Sequence, residues 1–326
     1  MITRRTVLAG LGAAAATRLT WLRAAASAVE PALYPPMDLS RFDTPVTPAP
    51  AEIRIGYASI TWGGHDAQAI DDIAALGYEG VQLRSNILPE WESRPQALAD
   101  LLASKALTFV ALSSGGVEID KPSASEIATH VAHATFLRAA HGRYLQCTDT
   151  RPKRSIVRAD YERLGKLLTE IGKRTADLGI PLGYHNHMGT LGERPGEVAQ
   201  ILDAADPRYV KLELDIAHYQ QGGGDPVKAI RTYADRLLFL HMKDVEDGPG
   251  GSGRPGGAGG PDDSASYRFV ELGRGKVDVK ACFAALHDVK FRGWAVIELD
   301  AVPDRARTPK ESAAINKQFL HSIGAL

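Results

Sequence analysis

Val210-Lys211-Leu212-Glu213-Leu214-Asp215-Ile216-Ala217-His218 joins a short β-rich run, Val210–Leu214, to an acid and a histidine where the run stops. Seven more runs of this kind punctuate the chain: Arg54–Ser59, Gly80–Leu83, Thr108–Leu112, Tyr144–Gln146, Pro181–Tyr184, Leu238–Leu240 and Ala295–Ile297. Between them lie apolar residues at helical spacing, such as Ile70, Ile73 and Leu76, or Leu164, Leu167, Leu168 and Ile171. Gly77 and Gly179 follow two of these periods, where a left-handed residue closes a helix. Strict alternation of strand and helix predicts a parallel sheet. Eight such units fit a closed (β/α)8 TIM barrel. No Gly-x-Gly-x-x-Gly follows the first strand, where Gly56-Tyr57-Ala58 stands instead. That argues against a doubly wound open sheet.

In a barrel of this kind, groups that do chemistry stand at the C-terminal ends of the strands. Strand five runs into His185-Asn186-His187 and strand six into Asp215-Ile216-Ala217-His218. Strand seven runs into His241-Met242-Lys243-Asp244, and strand eight into Glu298-Leu299-Asp300. Four consecutive strands thus each present imidazole or carboxylate at one level. That donor set suits a divalent cation: Mn²⁺, Co²⁺, Zn²⁺ or Mg²⁺. Without a cation, crowded carboxylates raise one another's pKa. Each residue alone has a plainer use. Asp215 caps the helix after strand six, Glu298 pairs with an arginine, and Lys243 stays at the surface or pairs with Asp244. Four of them in register are harder to explain that way.

Lys and Arg total 38 against 39 Asp and Glu among 326 residues, a formal net charge of −1. That balance gives no general attraction to nucleic acid. The two cysteines, Cys147 and Cys282, fall on distant elements and make no disulfide scaffold. Near the N-terminus, Arg4-Arg5 precedes an apolar run from Val7 to Ala16, and Ala26-Ser27-Ala28 offers a small-residue cleavage position. Residues 1–28 therefore read as an export signal of twin-arginine type, predicting a periplasmic or secreted protein. The apolar run is too short to span a bilayer stably. Residues 29–51, rich in Pro and Ala, read as a linker, and residues 52–326 as the barrel domain. Gly248–Gly260 follows strand seven and reads as a mobile lid or a disordered insertion. No Gly-Lys-Ser/Thr closes it into a phosphate loop.

Asp215-Ile216-Ala217-His218, His241-Met242-Lys243-Asp244 and Gly293-Trp294-Ala295-Val296-Ile297-Glu298 resemble the xylose-isomerase-like barrel superfamily. That group includes sugar epimerases, hydroxypyruvate isomerase, inosose dehydratase and endonuclease IV. Gly222-Gly223-Gly224-Asp225-Pro226 and Gly273-Arg274-Gly275-Lys276-Val277-Asp278 fit its inosose-dehydratase-like branch. The resemblance implies Asp215, His241 and Glu298 as metal ligands and His218 as a substrate contact beside the metal. It also implies a fourth ligand, usually a Glu ending strand five. Here that place reads His185-Asn186, so His185 is the expected fourth ligand, with His187 and Glu193 as alternatives.

The expected activity is metal-dependent isomerisation, epimerisation or dehydration of a keto-sugar or keto-polyol through a metal-stabilised enediolate. Glu298 is expected to serve as ligand and base in turn. His187, His218 and Lys243 are candidates for the acid that handles oxygen. Trp62 is a candidate for stacking on a sugar face and Arg84 for binding a polar substituent. The expected partner is a small carbohydrate substrate, with neither nucleic acid nor a stable membrane span, and a homo-oligomer is left open. Two other classes stand beside this reading. An endonuclease IV-like repair enzyme needs a basic groove and further zinc ligands on strands two to four. Ser113-Ser114 and Cys147-Thr148-Asp149 stand at two of those ends, without histidine. A non-catalytic sugar-binding barrel that has lost its metal is the other, kept open by His185 in place of Glu.

Overall fold

A computed structural model describes residues 53–248 and 267–326. The export segment 1–28, the linker 29–51 and residues 249–260 of the glycine-rich run lie outside the described residues. The strands are β1 (Ile53–Ala58), β2 (Gly80–Arg84), β3 (Thr108–Val117), β4 (Tyr144–Asp149), β5 (Leu182–His185), β6 (Val210–Asp215), β7 (Leu237–Met242), β8 (Asp244–Asp247), β9 (Tyr267–Val270) and β10 (Gly293–Ile297). Eight of them close in the order β1-β10-β7-β6-β5-β4-β3-β2, every pairing parallel. The expected (β/α)8 barrel is present, and each expected run is a strand of it. β3 outruns its expected end at Leu112, continuing past a register shift between Ser113 and Gly116. Ser113-Ser114 therefore lies inside a strand, not at its end.

β8 and β9 form a separate antiparallel pair after β7, with Asp244 opposite Val270. The Asp244 carboxylate collects the backbone N–H groups of Val245, Gly273, Gly275 and Val277. It ties this excursion together and is not the partner of Lys243.

The helices sit where apolar spacing puts them. The helix Arg158–Asp177 buries Leu164, Leu167, Leu168 and Ile171 on one side. Each such side chain contributes about 1.5–3 kcal/mol on leaving water. Gly179 follows it with φ +73°, and Gly77 follows the helix Asp66–Ala75 with φ +74°. The last helix, Pro309–Ser322, opens on a reciprocal pair: Glu311 N–H donates to Thr308 Oγ1, and Thr308 N–H donates to the Glu311 carboxylate. Among the described residues no helix is long and apolar enough to cross a membrane.

Inside the barrel a small apolar layer is built from Ala58, Val110, Ala111, Phe239, Trp294 and Val296. The indole of Trp294 fits because β2 offers Gly80 against it; a Cβ there would meet the ring at 2.6 Å. Side chains alternate along a strand, so the next inward positions after Phe239 and Val296 are His241 and Glu298. The apolar floor gives way at this level to polar groups.

Candidate metal centre

His185, Asp215, His241 and Glu298 are brought together, each offering one ligand atom, all within 4.8 Å of one another. They arrive on β5, β6 and β7 and directly after β10. Asp215 serves two masters. Its Oδ1 accepts from Ala217 N–H at 2.9 Å and His218 N–H at 2.8 Å, capping the helix Ile216–Gln221. Its Oδ2 is buried with no hydrogen-bond partner. His241 Nε2 lies 2.8 Å from Gln82 Oε1. A carboxamide oxygen only accepts, so Nε2 carries the proton and a neutral ring keeps its lone pair on Nδ1. That Nδ1 is 2.6 Å from Glu298 Oε2, yet both atoms are without a hydrogen bond. Asn186 laces β5 to β6 at this level, with its Nδ2 donating to Asp215 O and its Oδ1 accepting from Asp215 N–H. A carboxamide or peptide group that fixes the orientation of a ligand is what a metal site requires around it.

A cavity of about 180 Å³ opens at this end of the barrel, lined among others by Arg84, Gln146, Thr148, His185, His187 and Glu298. His187 and His218 stack beside it, ring centroids 3.7 Å apart. One residue sets both tautomers. Met188 N–H donates to His218 Nδ1 at 3.2 Å, which leaves the His218 proton on Nε2. His187 Nδ1 lies 2.6 Å from Met188 O and must donate to it, which leaves His187 Nε2 as an acceptor. Lys243 is fully buried. Its Nζ is 2.5 Å from Asp300 Oδ1, 3.3 Å from His218 Nε2 and 3.5 Å from Glu298 Oε2. The surface position expected as its plainer use is not where it lies.

Two expected residues are placed elsewhere. Trp62 is buried at the end of the turn Ser59–Trp62, its Nε1–H donating to Asp72 Oδ2 at 3.0 Å and its ring edge-on to Tyr57. That turn swings the indole outward onto the helix Asp66–Ala75, away from the cavity. Glu193 Oε2 accepts from Gly189 N–H at 2.9 Å and stands outside the ligand group.

The charges in the site are strongly shifted. Burial pulls the His241 pKa down, but the Glu213 and Glu298 carboxylates outweigh it and hold the ring well above its ordinary value. Burial raises Glu298, and His241 and Lys243 more than reverse this, keeping it ionised. Burial opposes the charge on Lys243, yet Asp300, Glu298 and Asp215 raise its pKa. His187 is lowered to about 4 by burial, by His185 and by Lys243, and His218 well below its ordinary value by burial and His187. Both are therefore neutral near pH 7.

Sequence reasoning missed Glu213 and Gln82. Glu213 is fully buried, with Oε2 against His185 Nδ1 and Oε1 3.4 Å from His241 Nδ1. The signal was available: Glu213 stands two residues before Asp215 and so shares its inward face.

A family model described as xylose isomerase-like TIM barrel matches residues 70–321. The inosose dehydratase of Lacticaseibacillus casei is 24% identical over 291 residues, covering 82% of this chain and 96% of its own. The rhizopine catabolism protein MocC of Rhizobium meliloti is 28% identical over 298 residues, covering 84% and 89%. Among solved structures, the IolI protein with a bound zinc atom superposes with a TM-score of 0.69 at 17% identity, covering 83% of this chain and 98% of that one. A barrel closed in this order, its polar groups gathered at the strand ends and most of its length matched by one family model, makes the chain a member of the xylose isomerase-like TIM barrel family.

Proposed function

We propose that this protein is a divalent-metal-dependent enzyme that dehydrates or epimerises a cyclic keto-polyol or keto-sugar, with inosose-type dehydration the first choice. The observation that carries the reading is the meeting of four buried ligand atoms, each without a hydrogen-bond partner, on His185, Asp215, His241 and Glu298. Two imidazoles and two carboxylates fit a divalent ion of the first transition row. The inosose dehydratase relative and the zinc of the IolI structure support the substrate class and the metal.

A divalent ion held there supplies Lewis acidity to a substrate carbonyl. The protein's own groups do the rest. Glu298 lines the cavity as a carboxylate and takes the proton α to the carbonyl. Arg84 stands on the cavity wall and binds substrate oxygens. His187 Nε2 accepts from a substrate hydroxyl. The Lys243 ammonium, 3.3 Å from His218 Nε2, hands a proton to the departing β-hydroxyl, which leaves as water, while His218 Nε2–H hydrogen-bonds a substrate oxygen. Asp300 holds Lys243 charged for that task.

Incubation with inososes and keto-sugars in D₂O tests this. The expected result is loss of water, or epimerisation, with deuterium at the carbon α to the carbonyl. Turnover with that C–H bond retained rejects the reading, as does absence of turnover by ion-loaded protein. Lys243→Met should lower kcat by roughly 10²–10⁴ with ion content unchanged.

A further inference from the structure

We propose that Glu213 is a fifth side chain of the ion site, sharing the ion's charge with Asp215 and Glu298. The inference rests on the metal-dependent reading above. β5 and β6 pair with His185 directly opposite Glu213, and Glu213 and Asp215 point inward from the same strand. Glu213 is fully buried, and neither of its carboxylate oxygens has a hydrogen-bond partner. The nitrogens they face, His185 Nδ1 and His241 Nδ1, are also without partners. As placed, these contacts are not hydrogen bonds. For His241, Nε2 is engaged by Gln82, which leaves Nδ1 facing the Glu213 oxygen. Buried imidazole and carboxylate atoms gathered in this way are the donor set of a first-row divalent ion.

Among the described residues, the His241 ring that faces Glu213 is shared with Glu298. The buried ammonium of Lys243 faces Asp215, Glu298 and Asp300. A carboxylate taken out of water without a counter-charge is among the costliest groups a fold can carry. An ion between β5, β6 and β7 removes that cost. It also makes up for strand five offering a neutral imidazole, since Glu213 returns a negative charge from the opposite register position.

Glu213→Gln keeps the side-chain volume and removes the charge. The test uses the full chain, stripped of metal and titrated with Co²⁺, beside wild type and Asp215→Asn. Glu213→Gln should bind Co²⁺ at least about tenfold more weakly, with a changed Co²⁺ d–d absorption spectrum. Ion-free Glu213→Gln should melt above ion-free wild type, because an unmatched buried charge has gone. The melting shift on adding Co²⁺ should shrink. Wild-type Co²⁺ affinity and spectrum in Glu213→Gln overturn the proposal alone. A lower ion-free melting temperature also overturns it, since Glu213 then has a structural role. Wild-type protein that binds no Co²⁺ overturns the metal-dependent reading and this proposal with it.

Discussion

Two groups of histidines lie in this barrel, and their hydrogen bonding sets them apart. Against β3, Ser114 Oγ is 2.6 Å from His130 Nδ1 and 2.7 Å from His133 Nδ1, and Cys147 Sγ is 3.4 Å from His130 Nδ1. Every atom named there has a partner. At the ends of β5, β6, β7 and β10, six buried side-chain atoms on His185, Glu213, Asp215, His241 and Glu298 have none. Imidazole is common to the two places, and carboxylates crowd only the second. Polar satisfaction separates them. Buried polar atoms left unpaired cost about 1–3 kcal/mol each, so a fold that collects them at one point is reserving that point for a charge. The paired group holds the wall together; the unpaired group is the candidate ion site.

The comparison breaks most readily at Asp215. Asp215→Ala should abolish ion binding, read by metal analysis of the purified protein, and lower ion-free stability by about 1 kcal/mol through the lost helix cap. Asp215→Asn should lose the ion while keeping most of the cap, so the two effects come apart in one pair of denaturation curves. Full metal content in both variants defeats the ligand assignment. The paired group should answer to pH instead. His130 is held down to about 4 by burial and by His133. The unfolded chain takes up this proton near the ordinary imidazole value and the folded chain does not. Stability from this residue is therefore full above about pH 6.5 and falls toward pH 4, by on the order of 3 kcal/mol. Denaturation of wild type and His130→Gln across that window checks it: the gap between them should close as pH falls, and a constant gap refutes it. The smallest effect sharpens the comparison from the rim of the site. Gln82→Leu leaves the ion's own ligands in place and removes the acceptor that orients His241, so ion affinity should drop roughly 10–100-fold; calorimetric titration yielding the wild-type Kd would count against that orienting role.

The barrel was legible because its signals are local. Periods of two and near four, and glycine at Gly77 and Gly179, are written in consecutive residues. The four atoms that meet at the centre were legible for a related reason, since a strand end fixes a side chain's level in the barrel. What escaped depends on contacts across the sequence. Glu213 reads as one more strand residue until β5 sets His185 opposite it. Lys243 reads as paired with its neighbour Asp244 until four backbone N–H groups are found to occupy that carboxylate. Trp62 follows a strand, which suggests the rim of a site, but the turn that ends there aims it at Asp72. β3 ran on past Leu112 through an irregularity at Gly115, whose φ of +97° lets the strand resume its pairing.

Trp294, stacked under the Arg54 guanidinium at 4.2 Å, plugs the tube at its lower end. The chamber is thus a cul-de-sac. A molecule that enters the cavity meets Arg84 and His187 on its wall and a closed floor beneath.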